Sequence, residues 1–201
     1  MKKRVVSQLA VMAAAAAALG LFLASPEASS LTVEGKKYPS TVTIEGKKLN
    51  LAGAGVRKKW FFKVYTMGAY TETKSCNTSS LINKDEVKYL RINMLRDVSA
   101  EKMASTLGEA FTNNLPDGAS QKLKDQIKMF QSYFKSECRE NTVIEIVYVP
   151  GKGTTLRIDN KQQGDPIEGQ DFSKVVWNCY FSSKTCCEGL KSEILESCNK
   201  K

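Results

Sequence analysis

The sequence predicts an α+β domain in which helices pack on one face of an antiparallel sheet. Three observations carry this. Strand-like segments come in runs joined by short turns, helical periodicity comes in separate runs, and about 171 residues remain after a leader, enough for one real core.

Residues 1–30 read as a signal peptide. Lys2, Lys3 and Arg4 precede an apolar run at 11–23, and small residues follow at 24–30. That run is too short to span a bilayer comfortably. Cleavage is expected between Ser25 and Ser30, leaving a periplasmic or secreted domain over residues 31–201.

The domain opens with two similar segments, beginning Leu31-Thr32-Val33-Glu34-Gly35-Lys36 and Val42-Thr43-Ile44-Glu45-Gly46-Lys47. Each reads as strand, turn, strand. A strand pair follows around Arg57, where Trp60, Phe61, Phe62, Val64 and Tyr65 are bulky and β-prone. Residues 71–83 are rich in Ser, Thr and Lys and read as a loop; residues 87–95 read as a strand. Helical spacing then takes over. Met103, Leu107, Ala110, Phe111 and Leu115 share one face of a helix capped by Ser99, which ends at Leu115-Pro116-Asp117-Gly118. Ser120 starts a second, with Leu123, Ile127, Phe130 and Phe134 on its apolar face. Residues 142–149 alternate as a strand and turn through Pro150-Gly151-Lys152-Gly153 into a strand at 155–158. Two helices close the chain, at 172–181 and 187–198.

Composition narrows the chemistry. The chain has no histidine, which removes the usual general base, the triads that depend on it and any histidine-ligated metal. Gly151-Lys152-Gly153-Thr154 is not a phosphate loop, because glycine stands where Ser or Thr must follow the lysine directly, and a strand follows it. Without Lys2, Lys3, Arg4 and Glu27 the domain holds 27 basic and 20 acidic groups, a net +7. The lysines are scattered rather than set in a stripe with aromatics, so nucleic acid is not the expected partner; weak contact with an anionic membrane surface is. Six cysteines, Cys76, Cys138, Cys179, Cys186, Cys187 and Cys198, lie beyond the leader. Three disulfides are expected, and six cysteines allow 15 pairings. Joining Cys186 or Cys187 to Cys198 would staple the last helix. The spacing does not suit zinc, so no metal is expected.

Arg57 is the residue that asks for a partner. It sits in an apolar, glycine-rich strand context, its guanidinium never sheds its proton, and taking it from water unpaired costs about several kcal/mol. An anion is the natural companion.

Three stretches resemble one family. Gly53-Ala54-Gly55-Val56-Arg57, followed by Lys63-Val64-Tyr65-Thr66-Met67-Gly68-Ala69-Tyr70, is similar to the first signature of chalcone isomerase-like proteins, where a glycine-rich turn leads into an arginine. Leu95-Arg96-Asp97-Val98-Ser99-Ala100-Glu101-Lys102-Met103 resembles the strand-to-helix passage of the bacterial branch. The third is the Tyr148-Val149-Pro150-Gly151-Lys152-Gly153-Thr154 hairpin with Gly169-Gln170-Asp171-Phe172 after it. The resemblance covers nearly all of the chain beyond residue 31 and implies an open-faced β-sandwich. True chalcone isomerases cyclise a flavonoid precursor with an arginine, a strand threonine, a tyrosine and a helix asparagine. Here Arg57 matches the arginine, but Tyr65 takes the threonine position, Ser99 the tyrosine position and Thr106 the asparagine position, so no catalytic residue is assigned. Other members of the fold bind fatty acids, with an arginine and a tyrosine gripping the carboxylate. The resemblance therefore implies a ligand-binding set of Arg57, Tyr65, Ser99 and Thr106, a small amphipathic carboxylate as ligand, no cofactor and no turnover. Two alternatives stand beside it: an isomerase or intramolecular lyase acting on a chalcone-like phenolic or enone, and a structural envelope protein whose cleft Trp60, Phe61 or Phe62 closes.

Overall fold

The computed structural model describes residues 29–200, so all but the last two residues of the expected leader lie outside the described residues. Strands β1 (Ser30–Val33) and β2 (Lys36–Pro39) form a separate antiparallel hairpin. A seven-stranded antiparallel sheet then runs in chain order through β3 (Thr41–Ile44), β4 (Lys47–Lys59), β5 (Phe62–Thr71), β6 (Lys88–Met94), β7 (Val143–Val149), β8 (Gly153–Ile158) and β9 (Lys161–Ile167). Helix α1 (Thr78–Asn83) links β5 to β6, while α2 (Ala100–Asn113) and α3 (Gln121–Ser132) link β6 to β7. Helices α4 (Gln170–Phe181) and α5 (Glu188–Asn199) follow β9.

The period-two pattern of the strands sorts side chains to two cores. Met67, Ala69, Leu90 and Ile92 face the helices, where Phe111, Phe130, Phe172 and Trp177 fill the larger core. Tyr70, Tyr89 and Val147 face the other way and are covered by Tyr38 and its hairpin. Tyr38 lies where Gly68 has no side chain: a Cβ there would fall 2.4 Å from the tyrosine ring. Its hydroxyl donates to Thr66 Oγ1 at 2.7 Å and accepts from Asn93 Nδ2 at 2.8 Å. The helices thus occupy one face, as expected, and a small hairpin shields part of the opposite face.

Several expectations are corrected. The glycines ahead of Arg57 lie inside β4 rather than in a turn. Residues 71–83 contain α1, whose polar sequence hides a cap in which Asn77 Oδ1 accepts from Ser80 N–H at 3.0 Å and only one buried apolar pair, Leu81 and Ile82. Strand β9 was not expected because Gly164 and Pro166 interrupt it. It is an edge strand, where proline removes no ladder bond, and Tyr133 fills the space beside Gly164.

The disulfides differ most. Cys198 joins Cys76, 122 residues away, and Cys186 joins its neighbour Cys187, while Cys138 and Cys179 are buried and unpaired. The expected staple from Cys186 or Cys187 to Cys198 fails on length. Those residues mark the two ends of α5, roughly 16 Å apart at 1.5 Å per residue, beyond disulfide reach.

Lys88 is fully buried, and its Nζ donates to the carbonyls of Leu81 and Ile82 at 2.9 and 2.8 Å, satisfying the end of α1. Burial lowers its pKa from 10.5 to about 8, against a smaller opposing pull from Glu86 and Asp85. Between those values the unfolded chain holds a proton that the folded chain lacks, so stability rises with pH. Unfolding in urea at a series of pH values should show wild type gaining on Lys88→Met from about pH 8 to about 10.5, and a flat difference would refute the assignment. The paired change Cys76→Ser with Cys198→Ser should cost about 2–5 kcal/mol, measured by the same unfolding under non-reducing conditions.

Candidate functional site

Arg57 and Tyr65 are direct partners across the β4–β5 ladder, and a bulge follows Arg57. Facing pairs hold their Cβ atoms about 5 Å apart, so the guanidinium stem and the phenol ring stand side by side. Both are half-buried.

The glycines of β4 have a separate task. A Cβ on Gly53 would lie 2.0 Å from the Ile194 carbonyl oxygen, and one on Gly55 would lie 2.8 Å from Glu193 Cβ. Only bare backbone lets α5 settle this closely on the strand. Contact is fixed by two unusual bonds, in which Val56 N–H donates to Glu193 Oε2 at 2.8 Å and Ala54 N–H donates to Ser197 Oγ at 3.0 Å. The start of α5 is thereby brought to Tyr65, whose hydroxyl lies 3.9 Å from Cys187 Sγ.

Helix α2 supplies the opposite wall. Ser99 caps it, accepting from Lys102 N–H at 3.2 Å. Met103, Leu107 and Ala110 turn inward, while Thr106 is exposed at the rim. Between β4–β5, α2 and the Cys186–Cys187 corner lies a cleft of about 550 Å³, and all four expected residues, Arg57, Tyr65, Ser99 and Thr106, line it. They are not equivalent. Arg57 and Tyr65 form a matched pair on adjoining strands, Ser99 already serves as a helix cap, and Thr106 faces solvent.

The charge of the cleft is one-sided. Arg57, Lys59, Arg96 and Lys102 line it against one carboxylate, Asp97, and Asp97 Oδ1 already accepts from Glu140 N–H at 2.7 Å. Among the described residues no ion pair involves Arg57; its guanidinium donates to the Lys58 carbonyl. Beneath the pair lie two residues of α4 that the sequence did not single out, Cys179 and Tyr180. Burial raises the Tyr65 pKa, the Cys179 side chain raises it further, and the Arg57 charge works against both. Burial pushes the Cys179 thiol up to about 12, again with Arg57 opposing. Tyr180 is raised for the same first reason, and its buried hydroxyl approaches Tyr65 without a hydrogen-bond partner. Cys179 Sγ is 3.4 Å from Cys186 Sγ, but as a neutral thiol it is a poor nucleophile.

At neutral pH this end of the cleft therefore offers phenol O–H and guanidinium N–H donors and no carboxylate. It can receive an anion's oxygens; nothing among these groups titrates near neutrality to move a proton. Cys179 and Tyr180 were missed because they read as core positions of α4, and only tertiary packing brings them near Tyr65. Among the described residues no group of three or more acidic, sulfur or imidazole ligands is assembled for a metal.

A family model described as chalcone isomerase-like matches residues 30–196. The chain is similar in fold to the crystal structure of a fatty-acid binding protein from Arabidopsis thaliana, with a TM-score of 0.68 and 18% identity over 85% of this chain and 97% of that one. Among curated proteins no match is found.

The close seat of α5 gives a direct check. Gly55→Val should destabilise the protein by about 1–3 kcal/mol through overpacking and shift the methyl NMR signals of Leu190 and Ile194, whereas Gly35→Val, strained by its φ of 74° but with open space around it, should leave those two residues packed on β4 with their methyl shifts unchanged.

Proposed function

Because this chain belongs to the chalcone isomerase-like family, we propose that it binds a fatty acid, or an amphipathic carboxylate of that kind, in the cleft and does not turn it over. One observation carries the reading: Arg57, with no counter-charge of its own among the described residues, stands opposite Tyr65 in a cleft whose deeper lining is apolar.

The magnitudes favour a charged head on an apolar tail. Burying about twelve methylenes at ~0.8 kcal/mol each gives ~10 kcal/mol, and association costs at least ~4 kcal/mol of it. The surplus of about 6 kcal/mol falls short of the ~8 kcal/mol that micromolar affinity requires. A charge-assisted bond from Arg57, helped by a neutral phenol donor, supplies the difference. The fatty-acid binding description of the Arabidopsis protein supports the same ligand class. Absence of turnover is supported by the missing histidine, by Ser99 serving as a cap and by Thr106 facing solvent. Export is part of the proposal. Its supports are the lysine-led leader and a Cys76–Cys198 bond that suits an oxidising compartment.

Native mass spectrometry of the purified protein should reveal a bound acid. Displacement of a fluorescent fatty acid should show Arg57→Ala weakening binding roughly 10- to 100-fold, the worth of a bond to a charged group, with the melting temperature little changed. Ultraviolet monitoring of a chalcone should show no cyclisation above background. Repeated recovery of empty protein, or equal affinity in the variant, would overturn the proposal.

A further inference from the structure

Among the described residues four large apolar side chains stand exposed, and three of them are consecutive: Trp60 at 85%, Phe61 at 95% and Phe62 at 60%. They form the tip of the β4–β5 hairpin, with Lys59 facing Phe62 at the last rung. The cost of this arrangement shows in the backbone. Three other two-residue turns, Glu34-Gly35, Glu45-Gly46 and Asp159-Asn160, meet the demand for positive φ with glycine or polar residues. Here Trp60 takes φ of 58°, a conformation that bulky residues rarely adopt. Neither the tight turn nor the sheet needs an aromatic at that point, and water disfavours it.

Around the tip the charge is basic. Lys58 and Lys63 are paired with Glu193 and Glu34 at 3.4 and 2.6 Å. Lys59, Arg96 and Lys102 take part in none of the ion pairs found among the described residues. The Arg96 guanidinium lies 4.7 Å from the centre of the Phe62 ring, so cation and aromatic point the same way. Trp60, Phe62, Lys59, Arg96 and Lys102 also line the mouth of the cleft. Aromatic side chains at the apex, with cations set behind them at the height of lipid phosphates, match the layering of a bilayer surface.

We infer that the hairpin tip docks into an anionic lipid bilayer, with Trp60 and Phe61 in the interfacial layer and Lys59 and Arg96 against the headgroups, so that the cleft opens onto the membrane. Docking stands on the tip alone. The further step, direct exchange of an acid between bilayer and cleft, rests on the fatty-acid reading above. Charge complementarity selects a membrane over a second copy of this chain, whose own tip would bring like charges together.

The two tryptophans make the test simple, because Trp177 is buried and Trp60 is not. Full-length mature protein is mixed with vesicles of phosphatidylcholine alone or with roughly one third phosphatidylglycerol. Tryptophan emission should shift to the blue and be quenched by brominated lipid in the anionic vesicles, and the effect should weaken with added salt. Phe61→Ser, outside the cleft lining, should lower partitioning roughly tenfold or more, and Lys59→Gln about fivefold. Phe61→Ser should bind a fluorescent fatty acid in vesicle-free solution as wild type does. No association with anionic vesicles, or association that Phe61→Ser leaves unchanged, overturns the inference. Self-association in sedimentation that Phe61→Ser removes, without vesicle binding, also overturns it and assigns the tip to a second copy. Vesicle docking by a protein that binds no fatty acid upholds the membrane site and sinks the cleft reading and the exchange step.

Discussion

The seat of α5 on β4 is the constraint from which the rest of the site follows. Two glycines remove the side chains that would hold helix and strand apart, and Glu193 and Ser197 take the backbone donors of Val56 and Ala54 on the edge of β4 that β3, paired only as far as Asn50, leaves open. A buried N–H without a partner costs on the order of 1–3 kcal/mol, so sliding the helix along the strand, which would leave both donors covered and unpaired, is opposed. Its start is then fixed beside Tyr65, and the register shift after Arg57 sets that arginine across from the same tyrosine. An open-faced sheet becomes a cleft at this one corner.

Within that corner the electrostatics run in one direction. Buried phenols stay protonated, a buried thiol stays protonated, and the permanent cation beside them has no carboxylate partner among the described residues. Such an arrangement is tuned for holding charge, since every group keeps the same protonation state over the physiological range. The same corner meets solvent through the aromatic tip. Ligand chemistry and surface chemistry therefore share residues, Lys59, Phe62 and Arg96 belonging to both.

Much of the fold was legible because each run has a clear period. The α2 face of Met103, Leu107, Ala110 and Phe111 and the α3 face of Leu123, Ile127 and Phe130 are buried as their spacing requires. Arg57 could be singled out because a lone guanidinium in an apolar strand stands out from its neighbours. What spacing cannot show is register. An extra residue in β5, Val64, between the Lys58–Lys63 and Arg57–Tyr65 rungs decides that Arg57 faces Tyr65, and Cys179 and Tyr180 reach the site only through the tertiary packing of α4. The short α1 and the proline-bearing β9 were hidden for a related reason: each is held by a side chain outside it, α1 by Lys88 from the next strand and β9 by Tyr133 from 32 residues upstream.

The bonds that seat α5 also govern the order in which the molecule can be made. Val56 meets Glu193 across 137 residues and Ala54 meets Ser197 across 143, so β4 must wait for a helix made more than a hundred residues later. Contacts of such long span form late. Until α5 is present, the strand that carries the arginine lacks the helix that completes its corner, and the polypeptide stays short of its native topology.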